Sequence, residues 1–227
     1  MAEGCSELLQ VRLAAIQEAL PADVHLLAVS KGHPPEAVRA LVALGQRSFA
    51  ESRLQEAQVK QDALRDLPPL DWHFIGRLQA NKVRAVLRRF AWLHSIDALS
   101  LAQRVSRIAS EEGCAPKVFL QVKLRSDPSK GGFSPEALHQ AWPELRSLPS
   151  LQIMGLMTMA PLGLSSEQRT SLFADCACLA HELGLQDCSM GMSGDWPEAV
   201  AAGSTWVRIG SSLFGPKTLS VPARDAI

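Results

Sequence analysis

Lys31 closes the apolar run Leu26-Leu27-Ala28-Val29, and far down the chain Thr205-Trp206-Val207-Arg208-Ile209 delivers Arg208 into the small-residue turn Gly210-Ser211-Ser212. A lysine where a buried strand runs out is an unusual placement. An ammonium is seldom buried without a partner, whereas an amine kept partly desolvated is a nucleophile that can condense with an aldehyde to a Schiff base. Together the two segments suggest a phosphate-bearing aldehyde held covalently by Lys31. The same residues also read as a strand-end lysine that reaches solvent and an arginine that pairs with a carboxylate inside the fold.

Positioning such residues takes a scaffold, and short apolar runs alternate with segments of helical periodicity from end to end, the signature of repeated βα units around a parallel sheet. An N-terminal helix is expected over about residues 5 to 20, with Leu8, Leu9, Leu13 and Ile16 on one side. Eight strands follow, at Leu26–Ser30, Arg47–Phe49, Trp72–Ile75, Trp92–Ser95, Val118–Val122, Gln152–Met157, Asp187–Met190 and Thr205–Ile209. Helices are expected between them near 35 to 44, 52 to 65, 79 to 89, 98 to 112, 134 to 147, 165 to 183 and 196 to 202. Pro34-Pro35, Asp97 and Ser134-Pro135 look like helix starts, and Gly45, Gly113 and Gly184 like stops. The expectation is one domain over residues 1–227, a single (β/α)8 barrel of TIM type with an extra N-terminal helix; an open doubly wound sheet gives the same alternation. The tail after Gly215, with Pro216 and Pro222, is expected to be loosely ordered.

In a parallel barrel the active face lies at the strand C-termini, and phosphate commonly sits on the loops after strands seven and eight. Met190-Gly191-Met192-Ser193-Gly194-Asp195 runs into a helix near Trp196, so amides there and the Ser193 hydroxyl could take a phosphate. Gly210 and Ser211 offer a second set after strand eight. Each segment alone reads equally as a turn and a cap. Strand one neighbours strand eight in a closed barrel, so Lys31 and Arg208 are expected at one mouth. An arginine beside a pyridine nitrogen would donate to it and disfavour its protonation, weakening the ring as an electron sink.

Composition bounds the alternatives. The 227 residues are 47% hydrophobic, with Lys plus Arg and Asp plus Glu both 23, so no general field draws nucleic acid or an anionic membrane. The N-terminus lacks the basic-then-apolar layout of a signal peptide and no run is long enough to span a bilayer, which favours the cytosol. Five cysteines show no disulfide or zinc spacing. Cys176-Ala177-Cys178 with His181 falls in an expected helix, where residues two apart point to nearly opposite sides, so no metal site is expected. Met154, Met157, Met159, Met190 and Met192 read as adaptable packing near strand ends.

Several ordered motifs carry a family resemblance. Ala28-Val29-Ser30-Lys31, Trp72-His73-Phe74-Ile75-Gly76-Arg77-Leu78-Gln79-Ala80-Asn81-Lys82, His94-Ser95-Ile96-Asp97, Gly155-Leu156-Met157, Ser189 to Asp195 and Gly203 to Gly210 closely resemble the pyridoxal phosphate homeostasis proteins (YggS/PROSC-like) over nearly the whole chain. The resemblance implies a monomeric, cytoplasmic barrel of the alanine racemase N-terminal type that binds pyridoxal 5'-phosphate (PLP). It implies an internal aldimine on Lys31, Arg208 at the pyridine nitrogen, and phosphate on Ser193, Gly210 and Ser211. Its expected role is homeostasis of vitamin B6 and of amino and keto acids without established catalysis, with PLP-accepting apo-enzymes as partners.

Two positions depart from the family pattern. Phe49-Ala50-Glu51-Ser52-Arg53 has Ser52 where the family places an Asn near the cofactor ring, and Gly32 follows the lysine where a Thr is more usual. The shorter Ser52 hydroxyl reaches less far. Glu51 and Arg53 read first as a charged pair at a helix start, His73 as a packed or hydrogen-bonded core histidine, and Lys130 as either a mouth residue or a solvated loop end. An amino-acid racemase is the alternative function. It lacks support, because the chain has no Tyr to act as a second acid/base and no C-terminal β-domain is seen after Gly215.

Overall fold

Residues 2–127 and 130–216 are described by the computed structural model, and the expected loose segment with Pro222 lies outside them. Helix α1 (Ala2–Ala19) precedes eight βα units: β1 (His25–Val29), α2 (Pro35–Ala43), β2 (Ser48–Glu51), α3 (Leu54–Ala63), β3 (Asp71–Phe74), α4 (Val83–Leu87), β4 (Trp92–Ile96) and α5 (Leu99–Glu112) come first. Then follow β5 (Lys117–Gln121), α6 (Pro135–Leu145), β6 (Gln152–Met157), α7 (Ser166–Glu182), β7 (Asp187–Met192), α8 (Trp196–Ala201), β8 (Trp206–Ile209) and α9 (Ser211–Phe214). The strands pair in parallel and in chain order. Strand β8 returns to β1 through Leu26↔Val207 and Leu27↔Arg208, which closes the barrel and rules out the open sheet.

Strand composition explains the closure. Parallel strands are covered on both faces, and all five residues of β4 are accordingly buried. Leu27, Val29, Ala50, Trp92, Phe119, Met157 and Trp206 fill the barrel interior. The opposite phase, with Ala28, Phe49, Val207 and Ile209, packs outward under α1, α2 and α9. On α1 the buried stripe is Leu9, Leu13 and Ile16, while Leu8, expected beside them, is turned outward. Its neighbours at three- and four-residue spacing set a stripe that Leu8 just misses.

Local signals account for most helix ends. Pro34 caps α2 with Pro35 at its first position, and the Ser134 hydroxyl accepts from the Ala137 amide at 3.1 Å. Gly45, Gly113 and Gly184 follow helices with φ of 94°, 66° and 71°. Asp97 is a correction: Ala98 occupies the cap of α5 with no side-chain bond, and the Asp97 carboxylate lies over Gly131, where a Cβ would come within 2.4 Å of Oδ2. Two other expectations change. The helix expected over 79 to 89 divides into a 3-10 turn, Ala80–Lys82, and the short α4, and Ser211–Phe214 is helical after the last strand. Among the described residues no helix is long and apolar enough to cross a membrane.

Candidate functional site

The strand C-termini open on a cavity of about 590 Å³. Lys31, Ser52, Ser193, Arg208, Gly210 and Ser211 all line it, so every residue singled out for cofactor contact shares one wall or another of the same space. Arg77, Asp97, Lys130 and Met192 complete its rim, which places Lys130 at the mouth.

Lys31 sits two residues beyond the end of β1 and is exposed, so the residue at the strand's end reaches solvent where a partly desolvated amine was expected. The turn that carries it is anchored from below. Lys60 reaches up from α3, donating to the Ser30 carbonyl at 2.7 Å and pairing with Glu51; Ser30 Oγ donates to Glu51 Oε1 at 2.6 Å. The Gly32 amide donates to Glu56. Gly32 has φ of 77°, a conformation that favours glycine. Glu51 therefore lies in a strand, not in a first helical turn, and its partner is Lys60 in place of Arg53. Its burial raises the carboxyl pKa against the pull of Lys60 and Ser30. Ser52 is held by close packing, since a Cβ on Gly76 would lie 2.0 Å from the Ser52 carbonyl oxygen.

Across the closing seam two backbone amides, Gly210 N and Ser212 N, converge on Ser193 Oγ at 3.2 and 3.3 Å. Ser212 Oγ donates to the Ser193 carbonyl at 3.2 Å. The Asp195 carboxylate caps the loop on the Met192 amide at 2.6 Å. A Cβ on Gly210 would lie 3.3 Å from the Val29 carbonyl, so the loop rests closely on β1.

Arg208 is buried, with Nη1 donating to the Ser189 carbonyl at 2.5 Å and to Ser189 Oγ at 2.9 Å, and Nη2 to the Thr158 carbonyl at 2.9 Å. All three acceptors are neutral, and among the described residues it makes no ion pair, so the structural reading of Arg208 as half of a buried pair is set aside. Desolvation lowers it to about 10, offset in part by Asp195, and it stays charged at neutral pH. Beneath it His94 Nδ1 meets Ser189 Oγ at 2.8 Å and His94 Nε2 meets His73 Nδ1 at 2.9 Å. His73 is a core histidine as expected, stacked on Trp92. Burial lowers both rings, His73 to about 3. Ser189, Thr158 and Lys60 were invisible as site-builders in the sequence; the available clue is that Ser189, like His94, falls on the inward phase of its strand.

Cys176 is buried and Cys178 exposed, as helical geometry requires, and no metal-holding group of His, Cys, Asp or Glu occurs among the described residues. Met157 and Met190 are buried, and Met157, Met159 and Met192 line the cavity wall.

Residues 6–218 match the family model described as alanine racemase, N-terminal domain. The chain is 45% identical over 204 residues to a pyridoxal phosphate homeostasis protein of Synechocystis sp., covering 87% of this chain and 94% of that one. It belongs to the pyridoxal phosphate homeostasis protein family. Another member, from Pseudomonas aeruginosa, is 44% identical and covered to 89% in both chains. Among solved structures, PipY of Synechococcus elongatus with PLP bound superposes with a TM-score of 0.88 at 48% identity, over 91% of this chain and 100% of that one. PipY without PLP matches with the same score at 50% identity, over 90% and 98%. Alanine racemase from Clostridium difficile shares the fold of this homeostasis-protein barrel at a TM-score of 0.77 and 18% identity, over 97% of this chain and 58% of that one.

Proposed function

We propose that the chain is a single-domain, monomeric PLP-binding protein of vitamin B6 and amino and keto acid homeostasis. It holds the cofactor on Lys31 and releases it to other amines, including those of PLP-dependent apo-enzymes, without turnover of its own. One observation carries this reading: Lys31, the buried Arg208 cation and the Ser193, Gly210 and Ser211 loops line one cavity.

The donor set fits the group. Two amides meet on the Ser193 hydroxyl oxygen, which fixes that hydroxyl so that it can donate to a phosphate oxygen, and Ser211 on the same cavity wall adds a second hydroxyl. Arg208 has five N–H donors, three of them on protein oxygens, so it can face a ring nitrogen while remaining anchored. Among the described residues no carboxylate pairs with that guanidinium, so it offers the ring a donor and no acid. When bound, PLP supplies an aldehyde carbon that condenses with a primary amine. The chain's part is to present the Lys31 nitrogen from a turn fixed by Glu51, Lys60 and Glu56, to bind the anionic end across the seam, and to orient the ring through Arg208 and Ser52. The absence of Tyr from the sequence removes the phenol that a racemase of this barrel type would need on the opposite face.

Borohydride reduction with PLP followed by peptide mass spectrometry tests the assignment. The reduced adduct is expected on the peptide containing Lys31 and to be lost in Lys31→Ala; an adduct elsewhere, or none in the parent protein, overturns it.

A further inference from the structure

Four buried side chains form one continuous hydrogen-bonded line down the barrel axis: Arg208 Nη1 to Ser189 Oγ at 2.9 Å, Ser189 Oγ to His94 Nδ1 at 2.8 Å, and His94 Nε2 to His73 Nδ1 at 2.9 Å. His73, His94 and Ser189 have no exposed surface. The line ends at His73 Nε2, which is buried without a hydrogen-bond partner.

Its direction follows from the donor inventory. A guanidinium only donates, so Ser189 Oγ accepts from Arg208. Among the described residues the remaining partner of that hydroxyl is His94, and the arrangement that gives the Ser189 hydrogen an acceptor leaves His94 Nδ1 bare. A neutral imidazole with a bare Nδ1 carries its proton on Nε2 and donates it to His73 Nδ1. His73 in turn has its proton on Nε2, the atom left unpartnered at the barrel floor. Neutral rings are what burial dictates here, with both histidines lowered far from 6.5. Every hydrogen in the line therefore points away from the cavity, and each bond polarises the next in the same sense.

We infer that His94, acting through Ser189, is a positioning residue that fixes the Arg208 guanidinium at the cavity, with His73 holding the His94 tautomer. The serine oxygen, by donating to His94, becomes a stronger acceptor for Arg208, and without that relay the serine hydroxyl would be free to turn. The consequence for PLP rests on the proposed role of Arg208 at the ring nitrogen; the tautomer order does not.

Long-range proton–nitrogen correlation spectra of the histidine rings, recorded on the full chain without added cofactor, test the order directly. Both His94 and His73 are expected with a bare Nδ1 and a protonated Nε2, the His94 signals being assigned by their loss in His94→Asn. A proton on Nδ1 of either ring overturns the relay. PLP titration followed by absorbance then tests the positioning. Ser189→Ala and His94→Leu are expected to weaken binding by about tenfold and to shift the absorption band of bound PLP. His94→Asn, whose amide oxygen stands as many bonds from Cα as Nδ1 does and can accept from Ser189, is expected to stay within about threefold of the parent. Equal affinity and equal spectra in all four proteins overturn the positioning role. If His94→Leu does not fold, Ser189→Ala against the parent decides the point. Failure of the parent to take up PLP on Lys31 would refute the proposed function while leaving the ring spectra to judge the relay.

Discussion

Two neutral histidines sealed in the barrel make the fold acid-labile in a defined window. Burial, with Lys117 and His25 adding positive charge nearby, holds His73 down to about 3. An unfolded histidine takes up its proton near pH 6.5. Between those values the unfolded chain binds more protons than the native one, so stability rises with pH and is lost as pH falls from 6.5 towards about 3. At pH 5 the unfolded ring lies about 1.5 pH units below its own pKa, which at about 1.4 kcal/mol per unit costs the native state about 2 kcal/mol. His94 is lowered by burial, His73 and Arg208, and adds a term of the same sign. The loss at pH 5 is therefore at least the His73 share of about 2 kcal/mol, a sizeable part of the 5–15 kcal/mol typical of a domain. Glu51 works in the opposite sense, because its raised pKa favours the native state as pH falls through that value. Urea unfolding followed by tryptophan fluorescence at pH 8, 6 and 5 measures the balance, since Trp92 and Trp206 flank His73. The midpoint is expected to fall between pH 6 and 5 with an unchanged slope, and His73→Phe to flatten the dependence. A free energy that stays level across this range, or a native ring that titrates near 6.5, would refute the reasoning.

Other substitutions probe the supports of the cavity. Glu51→Gln leaves the buried Lys60 ammonium with the Ser30 carbonyl and a Glu56 carboxylate at 3.5 Å, and is expected to cost about 3 kcal/mol in urea unfolding; the double variant Glu51→Met with Lys60→Met is expected to cost less than either single change. Gly76→Ala would drive a methyl to 2.0 Å from the Ser52 carbonyl, which cannot yield as a side chain does, and is expected to cost about 3 kcal/mol and to loosen PLP binding in an absorbance titration. Arg208→Met removes a buried charge together with three hydrogen bonds, so stability is expected to change by less than about 2 kcal/mol while PLP affinity falls strongly.

How far the sequence could be read depended on range. Lys31, Ser52, Ser193, Arg208, Gly210 and Ser211 were legible because each ends a strand or follows one, and barrel closure brings all strand ends to one cavity. Element positions followed from apolar runs with proline, serine and glycine at their ends. What failed were features set by partners far away in sequence. Glu51 looked like a helix-start residue because its tie to Lys60 depends on α3 folding back beneath β1 and β2. Asp97 looked like a cap, and only the fold sets it against Gly131, 34 positions on. The His94 to Ser189 contact joins positions 95 apart, and no local pattern encodes it.

The arrangement also explains how a cation can stand in the barrel with no carboxylate in direct contact among the described residues, Asp195 acting on it only from a distance. A buried arginine with a carboxylate partner would be electrically satisfied and would offer little to an anion. Here three neutral oxygens orient Arg208 while leaving its charge uncompensated, and burial alone is insufficient to discharge it, since its pKa remains about 10. The cavity therefore keeps a fixed positive pole at its base, beside amides that also favour negative charge. Introducing a carboxylate next to it, as in Ser189→Asp, is expected to pair with the guanidinium and to weaken PLP binding by tenfold or more, about 1.4 kcal/mol. Unchanged affinity in that variant would show that the uncompensated charge contributes nothing to anion recognition.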